Sequence, residues 1–270
     1  MQTKTILVTG STDGIGKQTA LELAETGHHV IVHGRNAERT KQAAEFIRAK
    51  AANGNVDFVV ADFSSLENVK KLSDEIHSKY EKLDVLLNNA GVFMNERKLS
   101  RDGFEMTFAI NHLAHFLLTE LLMDLIGKAP QGRIVNVASM AHANELDFEN
   151  LQGEKFYDGY TAYSCSKLCN ILFTYRLAED IADSEVTVNC LHPGVISTKL
   201  LHAGWGSGGS RLQEGSTTSV YLATSPDVKT ISGKYFSNSR QTKSSAISYN
   251  RDVQKRLWEL SEVMSGVKSY

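Results

Sequence analysis

Lys4-Thr5-Ile6-Leu7-Val8-Thr9-Gly10-Ser11-Thr12-Asp13-Gly14-Ile15-Gly16 decides the fold. The apolar, β-rich run 4–9 reads as a strand and the glycine segment as a tight turn. Lys17 to Glu25 reads as a helix with small or apolar residues at Ala20, Leu21, Leu23 and Ala24. Strand, glycine turn and helix in that order form a pyrophosphate cradle. Glycines let the backbone approach the ligand, and the helix N-terminus faces the anion. Gly10, Ser11, Thr12, Asp13, Gly14, Ile15 and Gly16 are therefore candidate cofactor contacts. Their spacing is Gly-x-x-x-Gly-x-Gly rather than the Gly-x-Gly-x-x-Gly of many dinucleotide folds, so a plain glycine turn is the competing reading.

Working outward, strands are expected near 4–9, 29–33, 56–60, 84–88, 132–137, 186–191 and 233–236. Helices are expected near 14–26, 37–52, 65–79, 103–127, 161–182 and 215–224. Such alternation implies an α/β fold: one Rossmann-type, doubly wound domain over 1–270, with a seven-stranded, mainly parallel sheet and helices on both faces. Short strands with few polar residues fit a sheet covered on both sides. Ligand then binds beyond the carboxyl ends of the strands. An acid at the end of the second strand would hold a ribose 2′-hydroxyl and signal NAD. This chain instead runs His33-Gly34-Arg35-Asn36. Arg35, with Asn36 beside it, suits a 2′-phosphate, so NADP(H) is expected ahead of NAD(H). An ordinary loop arginine near a helix start is the alternative.

Tyr163 and Lys167 stand four apart on a predicted helix and share one face. Ser139 follows the apolar run Arg133 to Val137. A phenol, a cation and a hydroxyl brought to one point can manage a proton, and a nearby ammonium favours the phenolate. A surface tyrosine beside a solvated lysine is the alternative.

With both ends in view, the chain resembles the short-chain dehydrogenase/reductase family over nearly its full length. The matching segments are Thr9–Gly16, Asn88-Asn89-Ala90-Gly91, Asn111, Ser139 with Tyr163 and Lys167, and Pro193-Gly194. Asp102 to Phe104-Glu105, Asn111 to Phe116 and Asp147 to Asn170 resemble its retinol dehydrogenase-like branch, which includes WW-domain oxidoreductases.

The resemblance implies a hydride transfer between NADP(H) and an alcohol or carbonyl. Tyr163 would be the proton donor or acceptor. Lys167 would bind the nicotinamide ribose and lower the phenol's pKa, and Ser139 would hold the substrate oxygen. Asn111 would anchor a water relay or, on the plainer reading, tie helix to strand. Asp62 and Phe63 would meet the adenine, with a helix cap the alternative for Asp62 and Ser64 the better cap. Asn89, Ala90 and Gly91 would run past the ribose. Pro193, Gly194, Val195, Ser197 and Thr198 would meet carboxamide and pyrophosphate. The segment 195–215 is expected to be a mobile, glycine-rich lid, and the loop 140–160 to shape the pocket. His142, His202 and Trp205 are candidates for substrate contact or for packing. An apolar aldehyde or ketone is the expected substrate. A catalytically silent NADP(H) sensor and a scaffold are the rival readings, and relatives often assemble as homo-oligomers through helices 103–127 and 161–182.

A formal net charge of −2 gives no basic footprint for nucleic acid. No apolar run of membrane length and no anchor is expected. Three cysteines suit a reducing cytoplasm, and their spacing does not resemble a zinc site, so no metal is expected.

Overall fold

Ile6 and Val8 pack to one side of the first strand and Leu7 to the other, so this strand is covered on both faces. A computed structural model describes residues 3–51 and 55–267. Its strands are β1 (Thr5–Val8), β2 (His29–Gly34), β3 (Val56–Val60), β4 (Val85–Asn88), β5 (Arg133–Val137), β6 (Thr187–His192), β7 (Lys234–Ser237) and β8 (Arg240–Thr242). They form one sheet in the order β3-β2-β1-β4-β5-β6-β7-β8. All pairs are parallel except β7 with β8. The order reverses beside β1 and β4, and a crevice opens there at the strands' carboxyl ends.

The helices are α1 (Gly14–Glu25), α2 (Ala37–Lys50), α3 (Leu66–Lys79), α4 (Met106–Phe108), α5 (Ala114–Gly127), α6 (Gly159–Asp180), α7 (Lys199–Trp205), α8 (Leu212–Thr224) and α9 (Arg251–Ser265). One core joins the sheet to buried residues of α1, α2 and α8, such as Leu23, Ile47 and Leu222. The other joins it to α3, α5 and α6 through Leu72, Leu117 and Leu172.

Several expectations change. The sheet has eight strands rather than seven. β8 returns through a two-residue turn in which Asn238 and Ser239 have φ of 50° and 56°, the left-handed pair that a tight hairpin requires. β8 is exposed throughout, so it carries no apolar alternation to read. The expected second helix ends at Lys50, and residue 52 lies outside the described residues. The helix expected over 103–127 is interrupted by a π turn, Ala109–Leu113, between α4 and α5. Taken together, Met106–Gly127 has the length and apolar composition of a membrane span, contrary to the expectation, but most of it is buried in the fold. The helix expected at 215–224 begins at Leu212, and α7 and α9 were not foreseen.

α9 packs against the core. Its Trp258 sets its ring 5.0 Å from Phe116 of α5 and 5.8 Å from Phe173 of α6, edge-on to the first. Leu257 is buried beside it. α9 thus packs across α5 and α6.

Candidate active site

Beyond the carboxyl ends of the strands lies a cavity of about 900 Å³. One half is the glycine cradle. Gly10 has φ of +64°, and a Cβ there would stand 2.7 Å from the Ala90 Cα. Asn89 holds the turn from the neighbouring strand end: its side-chain amide donates to the Thr9 carbonyl (2.8 Å) and the Gly10 carbonyl (3.2 Å). Thr9 Oγ1 accepts from the backbone amides of Asn89 (2.8 Å) and Ala90 (3.0 Å). His33 closes the other side, accepting from Gly10 N at Nδ1 (3.1 Å) and donating from Nε2 to the Ala61 carbonyl (3.1 Å). Gly10→Ala should destabilise the protein by about 1–3 kcal/mol, the range for a side chain forced into the left-handed region, and should weaken nucleotide binding. A chemical denaturation midpoint equal to that of the unmodified protein would contradict this.

Gly14, Ile15, Gly16, Thr12, Asp13, Arg35, Asp62, Phe63, Gly91 and Ala90 line this half, with Asn89. Ser11 turns inward instead, donating to the Val8 carbonyl (2.7 Å) and accepting from His33 N (2.9 Å). Asn36 caps α2, its Oδ1 accepting from Arg39 N at 3.0 Å, while Arg35 is exposed at the rim. Asp62 Oδ1 accepts from Ser64 N at 3.1 Å. Ser64 is not the cap expected of it. Ser65 occupies the cap position without a side-chain bond, and the first helical amide, Leu66 N, donates to Asp102 at 2.8 Å. That partner lies 36 residues away, too distant for a local motif to show.

The other half gathers Ser139, Tyr163 and Lys167, all buried. β5 delivers Ser139 just past its end, and α6 presents Tyr163 and Lys167 one turn apart. Lys167 Nζ donates to the Val137 carbonyl at 2.9 Å. A Cβ placed on Gly91 would lie 3.7 Å from that Nζ and 3.5 Å from Asn111 Oδ1, so three elements converge there. Burial pushes the Tyr163 phenol up to about 12, with the neighbouring Ser139 hydroxyl acting in the opposite direction. Burial also draws the Lys167 ammonium down to about 8. The expectation that Lys167 lowers the phenol's pKa therefore fails in this arrangement. The ammonium donates to the Val137 carbonyl, 5.6 Å from the Tyr163 ring centre, and burial is the dominant influence on the phenol.

Asn111 sits in the π turn. Its Oδ1 accepts from Val92 N (2.8 Å), and its Nδ2 donates to the Val92 carbonyl (3.0 Å) and Ser166 Oγ (3.0 Å). The side chain thereby ties the helix to the Val92 loop and to Ser166 of α6. A π turn at such a point is a frequent companion of functional sites.

Pro193, Gly194, Val195, Ser197 and Thr198 line the wall as expected. The lid is not a loop throughout. Thr198 Oγ1 accepts from Leu201 N (3.1 Å) and starts α7, which buries none of its residues. Gly206, Gly208 and Gly209 follow at positive φ. Its base is pinned where Ser197 N donates to Ser210 O (3.0 Å) and Ser210 N to Val195 O (2.8 Å). Lys199 crosses to Asp13 at 2.6 Å. Trp205 and His202 do line the cavity, Trp205 with its ring 5.6 Å from Tyr163 and 5.5 Å from Phe93. Of the 140–160 loop only Met140 and Ala141 reach the wall. Phe148 instead packs under the Arg256 guanidinium (4.3 Å), and Tyr157 donates to the Met94 carbonyl (3.0 Å). His192, Lys199 and Phe93 escaped notice. The first two flank the Pro193 to Thr198 segment, and that adjacency was the available signal.

A family model described as short chain dehydrogenase matches residues 4–205. Mouse retinol dehydrogenase 14 is 38% identical, covering 99% of this chain and 87% of that protein. Human polyprenol dehydrogenase is also 38% identical, covering 97% and 84%. Among solved structures, an uncharacterized protein from Mycobacterium paratuberculosis superposes with a TM-score of 0.83 at 29% identity, covering 99% of this chain and 95% of that one. A short chain dehydrogenase from Shigella flexneri complexed with NADP gives 0.73 at 25% identity, covering 88% and 97%. The chain is an oxidoreductase that belongs to the short-chain dehydrogenase family, in its retinol dehydrogenase-like branch.

Proposed function

We propose that this chain is one dinucleotide-binding domain that interconverts an apolar aldehyde or ketone and its alcohol with NADP(H). The observation that carries the reading is the placement of Ser139, Tyr163 and Lys167 in one wall of a cavity whose other half is the glycine cradle. The cradle fits a dinucleotide, because the added Cβ at Gly10 would collide with backbone there and α1 points its N-terminus inward. NADP(H) would supply or take the hydride.

The chain's own residues manage the oxygen and the proton. Ser139 Oγ holds the substrate oxygen and steadies its growing charge. Tyr163, protonated at neutral pH because burial raises its pKa, gives its proton to that oxygen during reduction. Lys167 stands beside Gly91, where it can hold the nicotinamide ribose, and Asn111 fixes the Val92 loop next to it. Trp205, Met140, Leu200 and Leu201 give the substrate end an apolar lining, and Phe93 packs against Trp205 and Tyr163. The three cysteines are free, which fits a cytoplasmic setting. A pure sensor would have no use for the buried trio, which disfavours that reading.

Arg35 at the rim supports NADPH over NADH. Arg35→Asp should weaken NADPH binding about tenfold or more, the loss of one charge-assisted pair, and narrow or invert the preference. Fluorescence titrations with both nucleotides test this; equal dissociation constants in the unmodified protein would refute it.

A further inference from the structure

We propose that His142 is a positioning residue for Ser139, a neutral strut between the Ser139 turn and the C-terminal segment. The inference rests on the reading of Ser139 as the group that holds the substrate oxygen. His142 stands behind the cavity wall and has a partner on each ring nitrogen. Its Nε2 accepts from Ser245 N at 3.0 Å, so that nitrogen carries no proton. The proton of the neutral ring is then on Nδ1, which donates to the Ser139 carbonyl at 2.6 Å. Only one tautomer satisfies both bonds.

The strut acts on a turn that is otherwise held at its far end. Ala141 N donates to Ser139 Oγ at 3.0 Å, setting the hydroxyl's rotamer, and Ala143 N donates to the Ser164 carbonyl of α6 at 3.0 Å. The His142 bond to the Ser139 carbonyl fixes the peptide between these points. On its other side the anchor is itself built. Ser248 N and Oγ both donate to the Ser245 carbonyl (3.0 and 2.6 Å), and Ser244 Oγ pairs with Tyr175 Oη of α6 at 2.8 Å. Tyr235 of β7 meets the imidazole edge to face at 5.4 Å. The support for Ser139 thus comes from residues beyond the 4–205 span of the family match.

A double-mutant cycle tests this. With NADPH and an apolar aldehyde, His142→Ala should lower kcat about tenfold, the loss of one positioned hydrogen bond, with the KM for NADPH unchanged. In a Ser139→Ala background the same change should cost little more, because the strut works through Ser139. Additive losses, or full kcat in His142→Ala, would overturn the proposal. Full kcat in Ser139→Ala would overturn the reading of Ser139 itself and the strut with it, a different and recognisable result. Two further variants serve if His142→Ala does not fold. His142→Asn keeps a donor at the Nδ1 position, whereas His142→Gln moves its amide toward Nε2 and loses that donor. Asn should retain more turnover than Gln, and equal turnover would overturn the proposal.

Discussion

Tyr163→Phe should lower turnover by about 10² or more, the range for losing a positioned proton transfer, while NADPH binds almost as before. The reason lies in what the substitution keeps. The ring still packs against Phe93 and Trp205 at 5.6 Å each, so the wall of the cavity is preserved. Only the hydroxyl goes, and with it the proton for the carbonyl oxygen. Ser139→Ala should also act mainly on turnover. Comparing a cofactor fluorescence titration with initial rates on the same preparation separates the two effects. Near-normal turnover in Tyr163→Phe would place the proton source elsewhere.

The second large effect is on stability in acid. His33, His112 and His115 are buried, and burial holds them near 4, 4 and 3, against 6.5 for an exposed imidazole. Each is neutral in the fold and uses ring nitrogens in its hydrogen bonds. His115 Nδ1, for example, donates to the Asn111 carbonyl at 3.0 Å, and His112 Nε2 pairs with Ser261 Oγ at 2.9 Å. Below pH 6.5 the unfolded chain takes up protons that the folded chain refuses, so stability falls as pH drops toward 4. The full contribution is present above 6.5. Each histidine costs about 1.4 kcal/mol per pH unit in that window, and three together cost about 4. Over the roughly 2.5 units from 6.5 to 4 this sums to about 10 kcal/mol, comparable with the whole stability of an ordinary domain, about 5–15 kcal/mol. Urea midpoints between pH 7 and pH 5 measure the slope. His112→Asn should reduce it by about one proton, and an unchanged midpoint across that range would contradict the burial argument.

Much of this was legible in the sequence because it is local. Lys4 to Gly16 fixes a strand, a left-handed glycine and a helix N-terminus within thirteen residues, and all three appear. Tyr163 and Lys167 share a helix face by spacing alone. What escaped depends on distant partners. Asp102 caps α3 from 36 residues away, and Lys199 reaches Asp13 across the mouth of the cavity. The pKa relation between Lys167 and Tyr163 failed for the same cause, since spacing gives proximity but not the burial that dominates both groups. α9 carries Val253, Leu257 and Trp258 at helical spacing, a signal present in the sequence but beyond the last element assigned from it. β8 is three exposed polar residues, and nothing in them alternates.

The most direct test of hydride transfer at this site is isotopic. NADPH fully deuterated at nicotinamide C4 would be incubated with the protein and an apolar aldehyde, and the alcohol product analysed by mass spectrometry. Deuterium on the carbinol carbon, formed by the unmodified protein and lost with Tyr163→Phe, is the predicted result. Tight NADPH binding with no deuterated alcohol from a panel of aldehydes and ketones would contradict it and leave a nucleotide-binding protein without turnover.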